Sequence, residues 1–542
     1  MQPNVCEENL TMLTDFYELT MGNGYFLNGF SKKQTYFDIF FRKVPDNGGF
    51  AIAGGLSDII RYVRNLHFSG ADIAYLRGKG IFDEKFLAYL KDFKFEGDIY
   101  AVPEGTPVFP YEPIVTVKAP AVQAQLMETF LLLCINHQSS IATKANRIVR
   151  AAKGRPVMEF GSRRAQGIAA AVIGARAAYI GGCVATACTL TDELYGVPAA
   201  GTMAHSWVQM FDDEYSAFKF YTETYPHNAI LLVDTYNTLK SGIPNAIRVF
   251  KEYLASGRTM ANYGIRMDSG DLAYLTKKAR VMLDEAGLKD AKIVVSNSLD
   301  EYLINDLLQQ GAVIDSFGVG ERMITSSSSP VFGAVYKLSA VEGEDRVIVP
   351  KIKISENTDK ITNPGFKKVY RFYDKKTGKA IADEICLHNE IVNEALPHTI
   401  FDPKATWKQR TLKGFRVREL LVPIFRHGEL VYKEPSLPEI QQYCKAQTET
   451  LWEEVKRFEN PHVYNVDLSR KLWDLKKKML DTEGCKLGPG TVPPYAGDRA
   501  VPLQDTAKGP AACRSRPFCT PDSPQVRGHS TGPQATNGPS YL

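Results

Sequence analysis

The sequence contains no CxxC pair, and its nine cysteines, at positions 6, 134, 183, 188, 386, 444, 485, 513 and 519, are odd in number and irregularly spaced. That weakens both a disulfide framework and a zinc module, and reads most simply as buried reduced thiols. No apolar run reaches the roughly 18 residues that a membrane span requires; the longest, near Phe130 to Ile135, has the length of a core segment. Charge of either sign is not in excess. The 65 Lys and Arg against 61 Asp and Glu leave +4, which argues against a protein built to bind nucleic acid. The first twenty residues, MQPNVCEENLTMLTDFYELT, carry acidic groups early and neither an apolar nor an arginine-rich leader, so a cytoplasmic protein with no membrane attachment is expected.

What is present is ordinary globular composition, 44% hydrophobic and 23% charged over 542 residues. That is enough chain for three or four domains, or fewer if one is a barrel of about 250 residues. The 57 residues from Lys486 to Leu542 hold 10 Pro and 7 Gly with no periodic apolar face, and a disordered tail is expected over 486–542. Upstream, Thr35 to Phe41 (TYFDIFF) and Tyr100 to Val117 are rich in β-formers. They predict a β-rich N-terminal domain over 1–135, completed by about 335–450, where Val335 to Leu338, Val347 to Ile354 and Tyr370 to Tyr373 read as strands. Leu56 to Leu66 reads as helix, and the spacing of Leu126, Phe130, Leu133 and Ile141 predicts a long helix or helix pair over Gln123 to Lys153. From Ser436 to Thr482 the spacing is helical again, giving a C-terminal helical segment over 451–485.

Residues 136–334 alternate short apolar runs with helix-like segments, and each run ends in a polar residue or glycine. Val157 to Phe160 leads into GSRRAQG, Pro198 to Ala204 into His205, Ile230 to Val233 into Asp234, and Tyr263 to Met267 into Asp268; Ile293 to Val295 leads into Ser296 and Asn297, and Val313 to Phe317 into Gly318. The steps from His205 to Asp234, Asp268 and Asn297 are 29, 34 and 29 residues, the size of a βαβ unit. Right-handed crossovers bring the carboxyl ends of such strands to one rim. The fold class expected is therefore α/β: an irregular α/β barrel with fewer than eight clean repeats, carrying a split β-rich α+β domain. An open doubly wound sheet is the alternative, and the barrel is preferred because no GxGxxG fingerprint follows the first strand.

The rim residues suggest chemistry. His205, in GTMAHSW, has Thr202 and Ser206 nearby and Asp234 one βα unit later; a carboxylate at one imidazole nitrogen would leave the other as nucleophile or base. In YGIRMDSGDL, Arg266 and Asp268 lie two apart on one strand and share a face. An internal salt bridge and a grip on an anion both remain open, with Asp268 holding ribose hydroxyls or a hydrated magnesium ion, and Asp271 capping the next helix. FGVGER brings Gly318 and Gly320 ahead of ITSSSSP, where exposed N–H groups and the Thr325 hydroxyl suit a phosphate. MEFGSRRAQG adds the Phe160 ring and the guanidinium groups of Arg163 and Arg164, which suit a flat anionic ring or a phosphate.

Taken together, LTDFYELTM, PEGTPVFPYEPI, INHQSSIATKA, MEFGSRRAQG, GTMAHSW, LLVDTYNTLKSG, RMDSGDL, IVVSNSLDE and FGVGERMITSSSSPVFGAVYKL closely resemble the nicotinate phosphoribosyltransferase family, from about Leu13 to Leu475. The resemblance implies a type II phosphoribosyltransferase fold working as a homodimer. It implies a ligase-type pentosyl transfer that joins nicotinate to 5-phosphoribosyl 1-diphosphate, giving nicotinate mononucleotide and diphosphate, with ATP hydrolysed as co-substrate and Mg2+ as cofactor, in NAD salvage. His205 matches the family's transiently phosphorylated histidine and Asp234 the carboxylate that orients it. Thr202, Tyr17 and Arg266 match positions used for the pyridine ring and its carboxylate, with Tyr17 arriving from the neighbouring subunit to stack opposite Phe160. Arg163, Asp268, Gly318, Gly320 and Thr325 match positions that handle ribose, phosphate or diphosphate. The metal is expected to be held mainly by the substrate's diphosphate. Nicotinamide-using relatives have an acidic residue that reaches the amide; the corresponding stretch here, YIGGCVATA, offers Cys183 and no carboxylate, which favours the acid over the amide.

Overall fold

The protein is described by a computed structural model over residues 9–486; the stretch beyond Lys486, assigned from sequence to a disordered tail, lies outside the described residues. Six short strands, Val157–Glu159, Ala185–Thr186, Ala229–Leu232, Tyr263–Met267, Lys292–Val295 and Ser316–Val319, form one sheet. Their spatial order, named by first residue, is Ala185, Val157, Ser316, Lys292, Tyr263, Ala229. Every neighbouring pair is parallel, as helical crossovers require. The Ala185 and Ala229 strands stand at the two ends, so the sheet is a parallel half-barrel.

Two strand boundaries differ from those read in the sequence. The run Pro198 to Ala204 makes only a single parallel bridge, Ala199 to Thr186, and is otherwise irregular. Proline, glycine and three alanines give that run too little β-branched surface to hold a ladder. The strand that takes its place, Ala185–Thr186, is too short to show a period. Ser316–Val319 ends two residues later than expected, so Gly318 lies within the strand.

The sheet owes its burial to apolar runs such as AILL at 229–232, buried throughout. A core of Leu231, Ile265, Ile293, Phe317 and their neighbours packs against the surrounding helices. Each fully buried side chain of this kind contributes roughly 1.5–3 kcal/mol. Aspartates start several of the helices: Asp271 accepts from Tyr274 N at 3.0 Å, Asp300 from Leu303 N at 2.8 Å and Asp213 from Ser216 N at 2.7 Å. The long helix Glu128–Ala151 ends where Lys153 and Gly154 turn left-handed, with φ of 50° and 85°.

The second large sheet has seven strands drawn from both ends of the chain, with Gln34–Phe40 hydrogen-bonded between Val335–Glu342 and Val115–Pro120, both antiparallel. A four-stranded sheet combines Phe415–Glu419, Lys367–Asp374 and Ala380–Leu387 with Val466–Leu468. The last of these corrects the reading of 451–485 as wholly helical. After the helix Leu437–Glu449 the chain is irregular, pairs as a strand parallel to Ala380–Leu387, and only then forms the helix Arg470–Lys486. No helix among the described residues is long and apolar enough to cross a membrane.

Candidate active site

Polar residues converge where the parallel strands end. Arg266, next to last in its strand, is the hub. Its Nε donates to Ser296 Oγ at 2.9 Å and its Nη1 to Thr202 Oγ1 at 3.0 Å and to the Met203 carbonyl at 3.4 Å. Its Nη2 donates to Asp268 Oδ1 at 3.3 Å. The guanidinium carbon lies 5.7 Å from the centre of the Phe160 ring, within reach of a cation–π interaction. Arg266 and Asp268 thus form the internal ion pair that their spacing allowed. Because Arg266 also reaches Thr202 and Phe160, the pair sits inside a cluster that could take a flat anion.

Phe160 is positioned from below. Its backbone N–H donates to the Val319 carbonyl at 2.7 Å. A Cβ built on Gly318 would lie 2.5 Å from Phe160 Cδ2, so the glycine there leaves room for the aromatic ring. At Gly320 such a Cβ would meet the Phe160 carbonyl oxygen at 3.4 Å, an ordinary contact. Glu159, immediately before Phe160, is fully buried and accepts from the Gly161 N–H and, at 2.7 Å, from Thr186 Oγ1. Burial pushes its carboxyl above the usual range, and the two donors oppose that shift. Sequence reasoning passed over Glu159, although it stands in the quoted string MEFGS.

His205 opens the short helix His205–Gln209 and is half-buried. The carboxylate expected beside its ring is not its neighbour. Nδ1 lies 3.1 Å from Thr235 Oγ1, while Asp234 Oδ2 accepts from the Asp268 N–H at 2.8 Å and from Ser269 Oγ at 2.6 Å. The physical reason is position: Asp234 directly follows the buried apolar run and ties one strand end to the next, whereas Thr235 is one residue further out. Thr235 followed Asp234 in the quoted LLVDTYN and carried no signal of its own beyond being a hydroxyl.

Ser296 was likewise missed as a site residue. The two positions after it, Asn297 and Ser298, have left-handed φ of 94° and 23°, a conformation that concentrates at functional turns. Thr325 Oγ1 donates to the Glu321 carbonyl at 2.7 Å, and its loop is anchored by the buried Lys144, whose Nζ donates to Ser328 Oγ at 2.8 Å and to Asp46 Oδ2 at 3.0 Å. Arg163 and Arg164 stand exposed in the turn after Phe160. Tyr17, on the helix Phe16–Leu27, joins none of these rim contacts among the described residues; burial and a hydrogen bond to Glu128 push its hydroxyl pKa up. Cys183 is also elsewhere: its thiol is buried, 3.6 Å from Met323 Sδ. The end of the neighbouring strand is occupied instead by Ala187 and Cys188, which bring no carboxylate either.

A polar cluster over the carboxyl ends of a parallel α/β sheet defines a small-molecule enzyme. Profiles of the nicotinate phosphoribosyltransferase (NAPRTase) family match residues 156–384, its N-terminal domain 12–136 and its C-terminal domain 366–476. The chain is 44% identical over 474 residues to a nicotinate phosphoribosyltransferase of Bacillus subtilis, covering 88% of this chain and 96% of that one. It is 31% identical to the Mus musculus protein of the same name, over 85% of this chain and 95% of the other. Among solved structures it is similar to human nicotinic acid phosphoribosyltransferase, with a TM-score of 0.74 and 29% identity, covering 86% of this chain and 99% of that chain. A nicotinate-nucleotide pyrophosphorylase from Pyrococcus furiosus gives 0.62 and 25%, over 82% and 97%. The chain belongs to the nicotinate phosphoribosyltransferase family.

Proposed function

We propose that this protein transfers the 5-phosphoribosyl group of 5-phosphoribosyl 1-diphosphate to nicotinate, giving nicotinate mononucleotide and diphosphate, and that the transfer is coupled to ATP hydrolysis through phosphorylation of His205. The single observation that carries the reading is the Arg266 fork, held by Thr202 and Ser296 beside the Phe160 ring and next to Asp268. Arg266 and Thr202 receive the pyridine carboxylate, and Phe160 lies against the ring. Asp268 serves the ribose, while Arg163, the backbone at Gly318 and Gly320, and Thr325 serve the phosphates.

Breaking the anomeric C–O bond builds positive charge on the sugar and negative charge on the leaving diphosphate. Fixed dipoles and cations at the rim stabilise that separation without reorganising. Clamping the ring nitrogen in line with the anomeric carbon supplies up to about 7–11 kcal/mol of the barrier. Among the described residues no three carboxylate, imidazole or thiol groups gather as a metal site. Mg2+ carried on substrate oxygens would neutralise developing charge there. His205 Nδ1 lies 3.1 Å from Thr235 Oγ1, and in the tautomer that carries its proton there Nε2 keeps the lone pair that accepts a phosphoryl group. Exposed Leu13, Phe16, Tyr17 and Met21 around the first helix support a homodimer in which Tyr17 completes the neighbour's ring clamp.

Two assays test the reading. Purified protein given nicotinate, 5-phosphoribosyl 1-diphosphate and Mg2+ is expected to form nicotinate mononucleotide, faster with ATP than without. γ-labelled ATP is expected to label the wild type and not His205→Ala. Absence of the mononucleotide overturns the transfer; product without any histidine label overturns the ATP step alone.

A further inference from the structure

The Ser296 hydroxyl touches both members of the rim ion pair. It accepts from Arg266 Nε at 2.9 Å and donates to Asp268 Oδ1. The side chain is 4% exposed, and its backbone N–H is fixed to the Met267 carbonyl at 3.0 Å. A planar guanidinium is free to turn about its long side chain unless two of its nitrogens are held. Here Nε is held by Ser296 and Nη1 by Thr202, so the plane of the fork is set. The same hydroxyl proton selects one oxygen of Asp268, and that oxygen also accepts from Arg266 Nη2. A Cβ on Gly318 would come 3.4 Å from Ser296 Cβ as well as against the Phe160 ring, so the serine belongs to the packed floor of the cluster.

We infer that Ser296 is a positioning residue for the transfer: it fixes the Arg266 fork and the Asp268 carboxylate relative to each other, and thereby the acceptor anion relative to the ribose. This rests on the reading of the site given above. Ser296 itself touches no substrate and acts through its two neighbours. Its removal leaves Arg266 Nε without a partner and takes one of two donors from Asp268 Oδ1, while Thr202 and the direct ion pair persist in a looser arrangement.

The test is a double-mutant cycle on the full chain, measuring nicotinate mononucleotide formation for the wild type, Ser296→Ala, Arg266→Lys and the double variant. In the wild-type background Ser296→Ala is expected to lower kcat/KM about 10- to 100-fold, the range for a hydrogen bond to a charged group. The loss should appear when either nicotinate or 5-phosphoribosyl 1-diphosphate is varied, because both neighbours are released. In the Arg266→Lys background the same change is expected to have less than about a threefold effect on the nicotinate term. Equal losses in the two backgrounds, no loss in the wild-type background, or a fall in Tm large enough to account for the lost activity would overturn the positioning role. A wild type that forms no product at all overturns the reading of the site, and this proposal with it.

Discussion

The chain contains two arginine–aspartate pairs that share a chemistry and differ in setting. Arg371 and Asp383, in adjacent strands of the four-stranded sheet, are 0% exposed and meet through Nε and Nη2, the shortest contact being 2.6 Å. Tyr464 OH adds a bond to Asp383 at 2.9 Å, and the Pro107 carbonyl accepts from Arg371 Nη2 at 2.9 Å. Arg266 and Asp268 are 16% and 34% exposed, touch at 3.3 Å, and share their remaining capacity with Ser296 and Thr202. The interior pair is wholly buried, with Arg371 Nη1 left without a hydrogen-bond partner, and lies out of reach of solvent. The rim pair is oriented by neighbours yet faces solvent, which is what a substrate anion requires. Burial thus separates an arginine that holds the fold from one that can do work on a substrate.

Removing one partner from each pair should separate the two roles most strongly. Arg371→Ala strands a buried carboxylate and is expected to destabilise by about 3–5 kcal/mol, read by chemical denaturation. Arg266→Gln should change stability by no more than about 1 kcal/mol, as for partly exposed pairs, while lowering kcat/KM for nicotinate about 10- to 100-fold. If both variants lost stability equally, the contrast would fail. Gly318→Ala lies between the extremes. It forces the Phe160 ring to move and is expected to cost about 1–3 kcal/mol of stability while raising KM for nicotinate more than it lowers kcat.

The smallest effect is expected where a buried carboxylate has no cation to oppose it. Asp467, paired in register beside Glu384, has its pKa pushed up to about 7, by burial first and then by Asp402 and Glu384. The folded state therefore holds a proton that the unfolded chain, with its carboxyl near the ordinary 3.8, has released. The favourable contribution is complete below that ordinary value and disappears as pH rises through about 7. Tm of the wild type relative to Asp467→Asn should fall between pH 5 and pH 8. A constant difference across that window would contradict the assignment.

Much of the site was legible because strand ends are marked twice, once by an apolar run and once by the polar residue that follows. This identified Arg266, Asp268, Asp234 and Phe160 and also the cap at Asp271. It failed where one of those marks was missing. The strand Ala185–Thr186 is too short for a run, and Pro198 to Ala204 is small-residued without being a strand. Side-chain pairing was less legible than position. Nothing in the spacing distinguishes Asp234 from Thr235 as the partner of His205, since both follow the same strand and only the rotation of the chain at its end decides. Glycine at 318 signals close approach without saying what approaches, and the sequence gives no sign that the Phe160 ring lies against it. The sequence marks Ser296 as a strand end but not as a positioning group, because a hydroxyl there is commonplace and its importance lies in two neighbours from another strand.

The most direct measurement is the ratio of turnover with nicotinate to turnover with nicotinamide at equal concentration, in the wild type and in Arg266→Gln. The arrangement around Arg266 predicts a strong preference for the acid in the wild type and a ratio falling toward one in the variant. A wild type that uses the amide as well as the acid, or a ratio unmoved by the substitution, would contradict the assignment of this rim to an anionic pyridine.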